Sequence, residues 1–250
     1  MIGGDSILTP SLEHTLPSTI LLGHKKKQFK VAVEGNIASG KSTLLSKLQL
    51  MNSVEVLVEP VDKWQNLAGG NLIGRMYEDA ERWGYLFQSY VLLTMMEVHH
   101  KTVNSPIMML ERSVYSARHC FVENLHNNGI LNDMEFSCYC QWFDHLVQQN
   151  PPKLDLIVYL RSSPEVCYQR LQERGRKEEK PVTLEYLQSL HDRYEDWLGN
   201  EKHHCWHGNT PVLVIDANED SRKNAHVFAK QCSSILEKLD YSQESRTLIR

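Results

Sequence analysis

A glycine-rich segment of nine residues, GNIASGKST, constrains the fold more than any other part of the chain. It fits the pattern G-x-x-x-x-G-K-[ST] at every fixed position, from Gly35 through Gly40 and Lys41 to Ser42. The apolar run Phe29–Glu34 before it predicts a buried strand, and the leucines after it predict a helix. Because such a strand–loop–helix unit surrounds an anion with backbone N–H groups, the segment predicts a phosphate-binding loop for ATP or GTP.

The residues of this loop predict how a triphosphate would be held. Lys41 would reach the β- and γ-phosphates, and the hydroxyl of Ser42 would be a ligand of Mg²⁺. The glycines let the backbone N–H groups wrap around the phosphates. The predicted ATP-binding residues of the loop are Gly35, Asn36, Ile37, Ala38, Ser39, Gly40, Lys41, Ser42 and Thr43.

Apolar runs and helical patterns alternate along the rest of the 250 residues. Five short apolar strands separated by helices predict an α/β fold, in which a five-stranded parallel sheet is flanked by helices. The polar stretch around Gly69, Gly70 and Asn71 predicts a loop between the second strand and a long helix. The predicted strands are Phe29–Glu34, Val54–Glu59, Pro106–Leu110, Leu154–Leu160 and Val212–Ile215. The predicted helices are Ser42–Met51, Glu81–Thr102, Val114–Leu125, Met134–Val147, Pro164–Arg174, Leu184–Leu198 and Ala225–Leu239.

Neither a repeat nor a linker divides these elements, so we expect one domain over residues 29–239. A disordered N-terminal segment, residues 1–28, and a polar tail, residues 240–250, are predicted to flank it. The net charge of −4 gives no global attraction to nucleic acid or anionic membranes, and no apolar run reaches the ~20 residues of a membrane span.

The spacing of the cysteines and the sequence of the N-terminal segment, the leader, predict the cellular compartment of the protein. Six cysteines without a C-x-x-C pair or a secretory leader predict reduced thiols inside the cell. Asp5 and Glu13, with no arginine before Arg75, make the leader a poor mitochondrial presequence. We therefore expect a cytoplasmic protein, with a mitochondrial location as the alternative.

Charged residues lie at the ends of two predicted strands. Glu59 ends the second strand, and Glu111 and Arg112 follow the third. Ligands of open α/β sheets bind beyond the carboxyl ends of the strands. One carboxylate there can take a proton from an attacking hydroxyl, and another can hold Mg²⁺. Arg112 can orient the first acid and stabilise the transferring phosphoryl group. With Lys41, these residues predict phosphoryl-transfer chemistry.

Two further groups of side chains fit such a reaction. Arg170 and Arg174 lie one helical turn apart, with Arg176 just beyond the possible hinge Gly175, and predict an arginine-bearing lid over the triphosphate. A set of aromatic rings together with an amide could enclose a planar ligand, because glutamine offers one acceptor and two donors to the edge of a base. The rings are Trp64, Tyr77, Phe87 and Phe121, and the amide is Gln88. Core packing is the more common role for such rings.

Several longer segments carry a resemblance to a known family. They include EPVDKW from Glu59, FQSYVLLTM from Phe87, ERSVYSARHCFVENL from Glu111 and DLIVYLRSSPEVCYQRL from Asp155. From about residue 29 to about residue 239 the chain resembles the deoxyribonucleoside kinases, and most of all the branch with multisubstrate nucleoside kinases and mitochondrial thymidine kinase. The resemblance implies transfer of the γ-phosphate of ATP to the 5′-hydroxyl of a deoxynucleoside. It also implies a homodimer joined through helices.

The resemblance also implies a role for each matching residue. Glu59 would be the base at the 5′-hydroxyl with Arg112 as its partner, and Glu111 would hold Mg²⁺ or share the role of base. Gln88 would pair with the nucleobase, and Phe121 would stack on it. The implied nucleoside-binding residues are Glu59, Trp64, Tyr77, Phe87, Gln88, Val91, Met95, Arg112, Ala117, Phe121 and Glu179, of which Tyr77 and Glu179 would hold the 3′-hydroxyl. The implied ATP-binding residues beyond the loop are Arg170, Arg174 and Arg176 of the lid, with Glu219 and Asp220 beside adenine.

The choice of base is implied by Val91, Met95 and Ala117. Relatives that favour purines and cytidine carry Arg and Asp at the last two positions. Apolar residues there leave room for the thymine methyl group, so we expect pyrimidines, including thymidine, to be preferred.

Two other functions remain open from the sequence. In a nucleoside monophosphate kinase, Glu59 would repel the phosphate of the acceptor by roughly 4 kcal/mol at 4 Å and an effective dielectric of 20. A non-catalytic nucleotide-binding regulator would need the loop, but it would not need two strand-end acids, Arg112 and an arginine lid together.

Overall fold

Five parallel strands form the central sheet of the computed structural model, which describes residues 28–199, 210–219, 230–235 and 237–239. The strands follow the order β2-β3-β1-β4-β5 across the sheet. The predicted α/β class and parallel sheet are confirmed. The strands are β1 Phe29–Glu34, β2 Val54–Leu57, β3 Ile107–Glu111, β4 Leu156–Arg161 and β5 Val212–Asp216.

Helices cover both faces of this sheet. They are α1 Lys41–Leu48, α2 Val61–Gln65, α3 Leu72–Glu78, α4 Ala80–His99, α5 Val114–Ser116, α6 Glu123–Asn127, α7 Asp133–Gln149, α8 Pro164–Arg174 and α9 Leu184–Tyr194. A π-helical turn, Ala117–Val122, joins α5 to α6, and a second, Glu195–Gly199, extends α9. A 3₁₀ turn, Lys177–Glu179, lies between α8 and α9. Residues 230–235 and 237–239 are helical, and residues 225–229 of the predicted last helix lie outside the described part.

The order of the strands brings the predicted acids to one edge of the sheet. β1 is central, with Val33 paired with Glu111 of β3 and Glu34 paired with Tyr159 of β4. Val31 has no exposed surface, as expected for a parallel strand that is covered on both faces. The carboxyl ends of β1 and β3 therefore lie side by side, next to the loop that begins at Gly35.

The region after β2 differs from its predicted structure. The loop predicted around Gly69, Gly70 and Asn71 is present, but the helix that follows it, α3 at Leu72–Glu78, was not predicted. The side chain of Asn71 accepts a hydrogen bond of 2.9 Å from the backbone N–H of Gly74 and so caps this helix. β2 also ends at Leu57, two residues before the predicted end, so Glu59 lies in the connection to α2.

Separate apolar clusters hold the layers together. Leu44 and Leu48 of α1 pack against Val31 and Val158 on one face of the sheet. A second cluster joins α2, α3, α4 and α7 into a helical layer beside the carboxyl edge of the sheet.

None of the described helices is long and apolar enough to cross a membrane. The described cysteines, Cys120, Cys138, Cys140, Cys167 and Cys232, are free thiols. The predictions for residues 1–27 and 240–250 lie outside the described residues.

Candidate active site

A cavity of about 360 Å³ lies at the carboxyl edge of the sheet. It brings together almost all of the site residues predicted from the sequence. Gly35 and Asn36 do not line it, and Asp220 lies outside the described residues. The predicted residues that line the cavity are Ile37, Ala38, Ser39, Gly40, Lys41, Ser42, Thr43, Glu59, Trp64, Tyr77, Phe87, Gln88, Val91, Met95, Glu111, Arg112, Ala117, Phe121, Arg170, Arg174, Arg176, Glu179 and Glu219.

The glycine-rich loop has the backbone of an anion-binding turn. Gly35 and Gly40 have φ angles of 142° and 106°, which residues with a side chain rarely adopt. The side chain of Asn36 turns away from the cavity, and its amide donates to the carbonyl of Leu187 in α9 at 2.8 Å. Asn36 thus anchors the loop to the helix behind it, which the sequence pattern could not indicate.

Lys41 is buried at the base of the cavity. Its Nζ donates to the carbonyl oxygens of Gly35 and Asn36, at 3.1 and 2.7 Å. Burial, together with the positive charge of Arg112, lowers the pKa of Lys41 to about 7. A phosphate group beside Nζ would favour its charged form, so the site gains electrostatically from an anionic ligand.

Glu59 and Arg112 form an ion pair at the centre of the cavity. Nε of Arg112 lies 3.1 Å from Oε1 of Glu59, and Nη1 donates to the carbonyl of Gly35 at 2.7 Å. Burial raises the pKa of Glu59, while Arg112 opposes this rise. A carboxylate with a raised pKa that is still held ionised by a neighbouring cation is suited to accept a proton.

Ser42 and Glu111 are in direct contact. The hydroxyl of Ser42 donates to Oε1 of Glu111 at 2.5 Å. A hydroxyl and a carboxylate oxygen at this distance fit the hard oxygen ligands that Mg²⁺ prefers, in a site completed by phosphate oxygens and water. Within the described residues, no cluster of three or more His, Cys, Asp or Glu side chains could hold a metal by itself.

The opposite wall of the cavity comes from α2, α3 and α4 and is largely apolar. Nε1 of Trp64 donates to Oγ1 of Thr94 at 2.9 Å, and the Trp64 ring meets Phe87 edge to face with centroids 5.7 Å apart. Gln88 is buried beside them, and its Oε1 has no hydrogen-bond partner among the described residues. An unpaired buried amide oxygen on the wall of a cavity indicates a hydrogen-bonding ligand.

The three arginines of the predicted lid line the cavity. Arg174 makes a forked contact with Glu179, with its shortest N···O distance at 2.7 Å, and Arg176 lies 3.5 Å from the same carboxylate. Arg170 donates instead to the carbonyls of Ala217 and Asn218, each at 2.9 Å. Glu179 is thus paired with Arg174 and Arg176, whereas Arg170 is bound to the segment that follows β5.

Sequence reasoning missed two buried groups behind the ion pair. Glu34 and Tyr194 have no exposed surface, and both lie in the hydrogen-bond network around Arg112. The signal available for Glu34 was its position as a charged residue directly after the apolar run Val31–Val33. Tyr194 lies 160 residues away in sequence, and nothing in its helical pattern marks it.

The fold and site define the class of protein. A parallel sheet with a glycine-rich phosphate loop, strand-end acids and an arginine lid has the parts of a P-loop kinase. The sequence model of the deoxynucleoside kinase family matches residues 31–238, and the chain belongs to that family. The family predicted from the sequence is thereby confirmed.

Individual relatives are similar over most of their length. Mitochondrial thymidine kinase 2 of Homo sapiens is 44% identical over 212 residues, which cover 85% of this chain and 79% of that protein. Deoxycytidine kinase 2 of Gallus gallus is 37% identical, over 80% of this chain and 86% of that protein. Deoxycytidine kinase of Homo sapiens is 35% identical, over 84% and 89%.

Replacing Gly35 tests how tightly the loop is constrained. A Cβ atom there would lie 2.6 Å from the carbonyl oxygen of Leu160 and 2.7 Å from Oγ of Ser39, at a φ of 142°. We expect Gly35→Ala to lower the free energy of unfolding in urea by about 3 kcal/mol. The matched control is Gly129→Ala, where φ is 72° and no heavy atom lies within 4 Å, so the loss should be about 1 kcal/mol. Equal losses in the two variants would contradict the close packing of the loop.

Proposed function

We propose that this protein is an ATP-dependent deoxynucleoside kinase that phosphorylates the 5′-hydroxyl of deoxynucleosides and prefers the pyrimidines thymidine and deoxycytidine. The observation that carries the proposal is the Glu59–Arg112 pair, which shares one cavity with the phosphate-binding loop and with the unpaired amide oxygen of Gln88. The general base, the phosphate-binding loop and the site for the nucleobase thus lie within reach of one bound nucleoside. Relatives named for thymidine and deoxycytidine support the pyrimidine preference.

The chemical step follows from this arrangement. Glu59 takes the proton of the 5′-hydroxyl while that oxygen forms its bond to the γ-phosphorus of ATP. The bond from the γ-phosphorus to the β–γ bridging oxygen breaks, and ADP leaves with those electrons. Lys41 and Arg112 offset the charge of the transferring group. Ser42 and Glu111 would hold Mg²⁺, which supplies further neutralisation of the phosphates.

The remaining lining residues divide between the nucleoside and ATP. Gln88 pairs with the edge of the base, and Phe121 lies against one of its faces. Tyr77 and Glu179 receive the 3′-hydroxyl. Arg170, Arg174 and Arg176 close over the triphosphate, and Glu219 lies beside adenine. Asp220, which the resemblance implies at the same place, lies outside the described residues. Glu59 lines the cavity, and as the base beside the 5′-hydroxyl its negative charge would repel a phosphate already carried by the acceptor, which disfavours such a substrate.

The proposal is tested by measuring phosphate transfer from ATP-Mg²⁺ to thymidine, deoxycytidine, deoxyadenosine, deoxyguanosine and thymidine monophosphate. We expect turnover of the nucleosides, fastest with the two pyrimidines, and none of the monophosphate. Turnover of the monophosphate alone would identify a nucleoside monophosphate kinase. ATP binding without any turnover would identify a non-catalytic regulator.

The role of Glu59 as base is part of the same test. Glu59→Gln should lower kcat by about 10²–10⁴-fold while ATP still binds. Glu97→Gln is the matched control, because Glu97 is half-exposed and pairs with Lys63 away from the cavity. Since burial raises the pKa of Glu59 and the base acts only when ionised, kcat/KM should fall as the pH is lowered through that raised pKa. Near wild-type turnover of Glu59→Gln would exclude it as the base.

The preference for pyrimidines is tested at Met95 and Ala117. Both side chains are buried and line the cavity. The double variant Met95→Arg, Ala117→Asp should lower the ratio of kcat/KM for thymidine over deoxyadenosine by about tenfold or more, because the charged pair fills the space beside the thymine methyl group. Each single variant leaves a buried charge unpaired and should lose activity on every nucleoside. An unchanged ratio in an active double variant would show that neither residue determines which base is preferred.

We also propose that the protein is a homodimer joined through α4 and α7. Leu86 and Leu93 on α4 are 44% and 51% exposed, and Met134 and Trp142 on α7 are 80% and 58% exposed. A second copy would cover these apolar side chains on neighbouring helices. Trp142→Glu should halve the mass measured by sedimentation. Leu50→Glu, at a position that is 83% exposed beyond the end of α1, should leave the mass unchanged. A monomeric wild type would contradict the proposal.

The cytoplasm remains the predicted compartment. The name of the mitochondrial relative makes import the alternative, and fractionation of cells that express the full chain distinguishes the two.

A further inference from the structure

A buried carboxylate lies behind the active-site ion pair and outside the cavity. Glu34 ends β1 and has no exposed surface, and it does not line the cavity. Its Oε1 accepts a hydrogen bond of 2.6 Å from the hydroxyl of Ser113. Its Oε2 accepts one of 3.4 Å from the hydroxyl of Tyr194. A buried carboxylate away from solvent is costly unless its partners are fixed, so this group needs a structural or functional reason.

Tyr194 connects this carboxylate to Arg112. The hydroxyl of Tyr194 accepts a hydrogen bond from Nη1 of Arg112, and its single proton is then directed to Glu34. The direction of the chain of hydrogen bonds is therefore set: Arg112 donates to Tyr194, and Tyr194 donates to Glu34. Such chains strengthen each of their members in a buried environment.

Arg112 needs this support because its backbone is unfavourable. Its φ angle is 61°, in the left-handed region that residues with a side chain rarely occupy. Its guanidinium lies 4.8 Å from the centroid of the Phe121 ring, and its Nε meets Glu59 at 3.1 Å. The neighbouring residue Ser113 is bonded to Glu34, so the carboxylate holds both the side chain and the backbone of this segment.

We propose that Glu34 is a positioning residue for phosphoryl transfer: through Tyr194 and Ser113 it holds the guanidinium of Arg112 in the orientation that pairs with Glu59. This inference rests on the proposed function, since it assigns Glu59 as the base. Glu34 acts through Arg112 and touches neither ATP nor the nucleoside.

The electrostatics of Glu34 agree with this geometry. Burial raises the pKa of Glu34 to about 7, and the positive charge of Arg112 acts in the opposite direction. Arg112 thus stands between two carboxylates, Glu34 behind it and Glu59 in the cavity. Both carboxylates attract the guanidinium of Arg112, one from each side, and this restrains its orientation.

Tyr194→Phe is the test variant, because it removes one hydroxyl and keeps the ring. We expect kcat for thymidine to fall about tenfold, while KM for ATP stays within about twofold. Glu34→Gln should act in the same direction. Tyr159→Phe is the matched control: its hydroxyl donates to Glu195 at 2.7 Å and its ring stacks on Tyr194, but it does not contact Arg112. Its kcat should stay within about twofold of the wild type.

A double-mutant cycle separates positioning from general support of the fold. If Tyr194 acts through Arg112, which both pairs with Glu59 and offsets the charge of the transferring group, Tyr194→Phe should cause little further loss in an Arg112→Lys background. The same tenfold loss in that background, or a wild-type kcat for Tyr194→Phe alone, would overturn the inference. Circular dichroism checks that each variant is folded, and Tyr194→Phe carries the test if Glu34→Gln does not fold. A wild-type protein without nucleoside turnover would instead refute the proposed function.

Discussion

The carbonyl oxygen of Gly35 accepts hydrogen bonds from both Lys41 and Arg112. One backbone group, at the first residue after the central strand, thus holds both Lys41, which we propose to face the phosphates, and Arg112, which pairs with Glu59. It can do so because β1 lies between β3 and β4, which bring Arg112 and Leu160 to either side of the loop. The order of the strands therefore fixes the geometry of the site as much as the loop sequence does.

The site concentrates buried charge, and the rest of the fold offsets its cost. Lys41, Glu34 and Arg112 are each almost wholly removed from solvent. Removal of one member of such a buried pair costs about 3–5 kcal/mol, since the other charge is left without compensation. The apolar clusters on both faces of the sheet hold these groups in place. The network is thus stable only as a whole, which restricts substitution at each of its positions.

The sequence predicted those parts of the structure that follow from local chemistry. The loop from Gly35 to Ser42 has a fixed spacing, and the five strands are apolar enough to be recognised as buried. α3 was missed because Leu72 and Met76 are its two buried apolar residues, too few for a clear period. The contact between Glu34 and Tyr194 was missed because it depends on tertiary packing across 160 residues. Periodicity contains no information about such a contact.

The π-helical turn at Ala117–Val122 has a consequence for how the pocket can change. This wider turn holds one residue more than an α-helix of the same length, and it carries both Ala117 and Phe121 into the cavity. Because the π-turn holds one residue more than an α-helical turn, deletion of a single residue within it can restore α-helical winding while the residues that follow keep nearly the same direction. A deletion inside a regular helix such as α4 would instead rotate all later residues by about 100° around the helix axis. The wall that carries Ala117 and Phe121 can therefore change its length by one residue without turning α6 away from its neighbours.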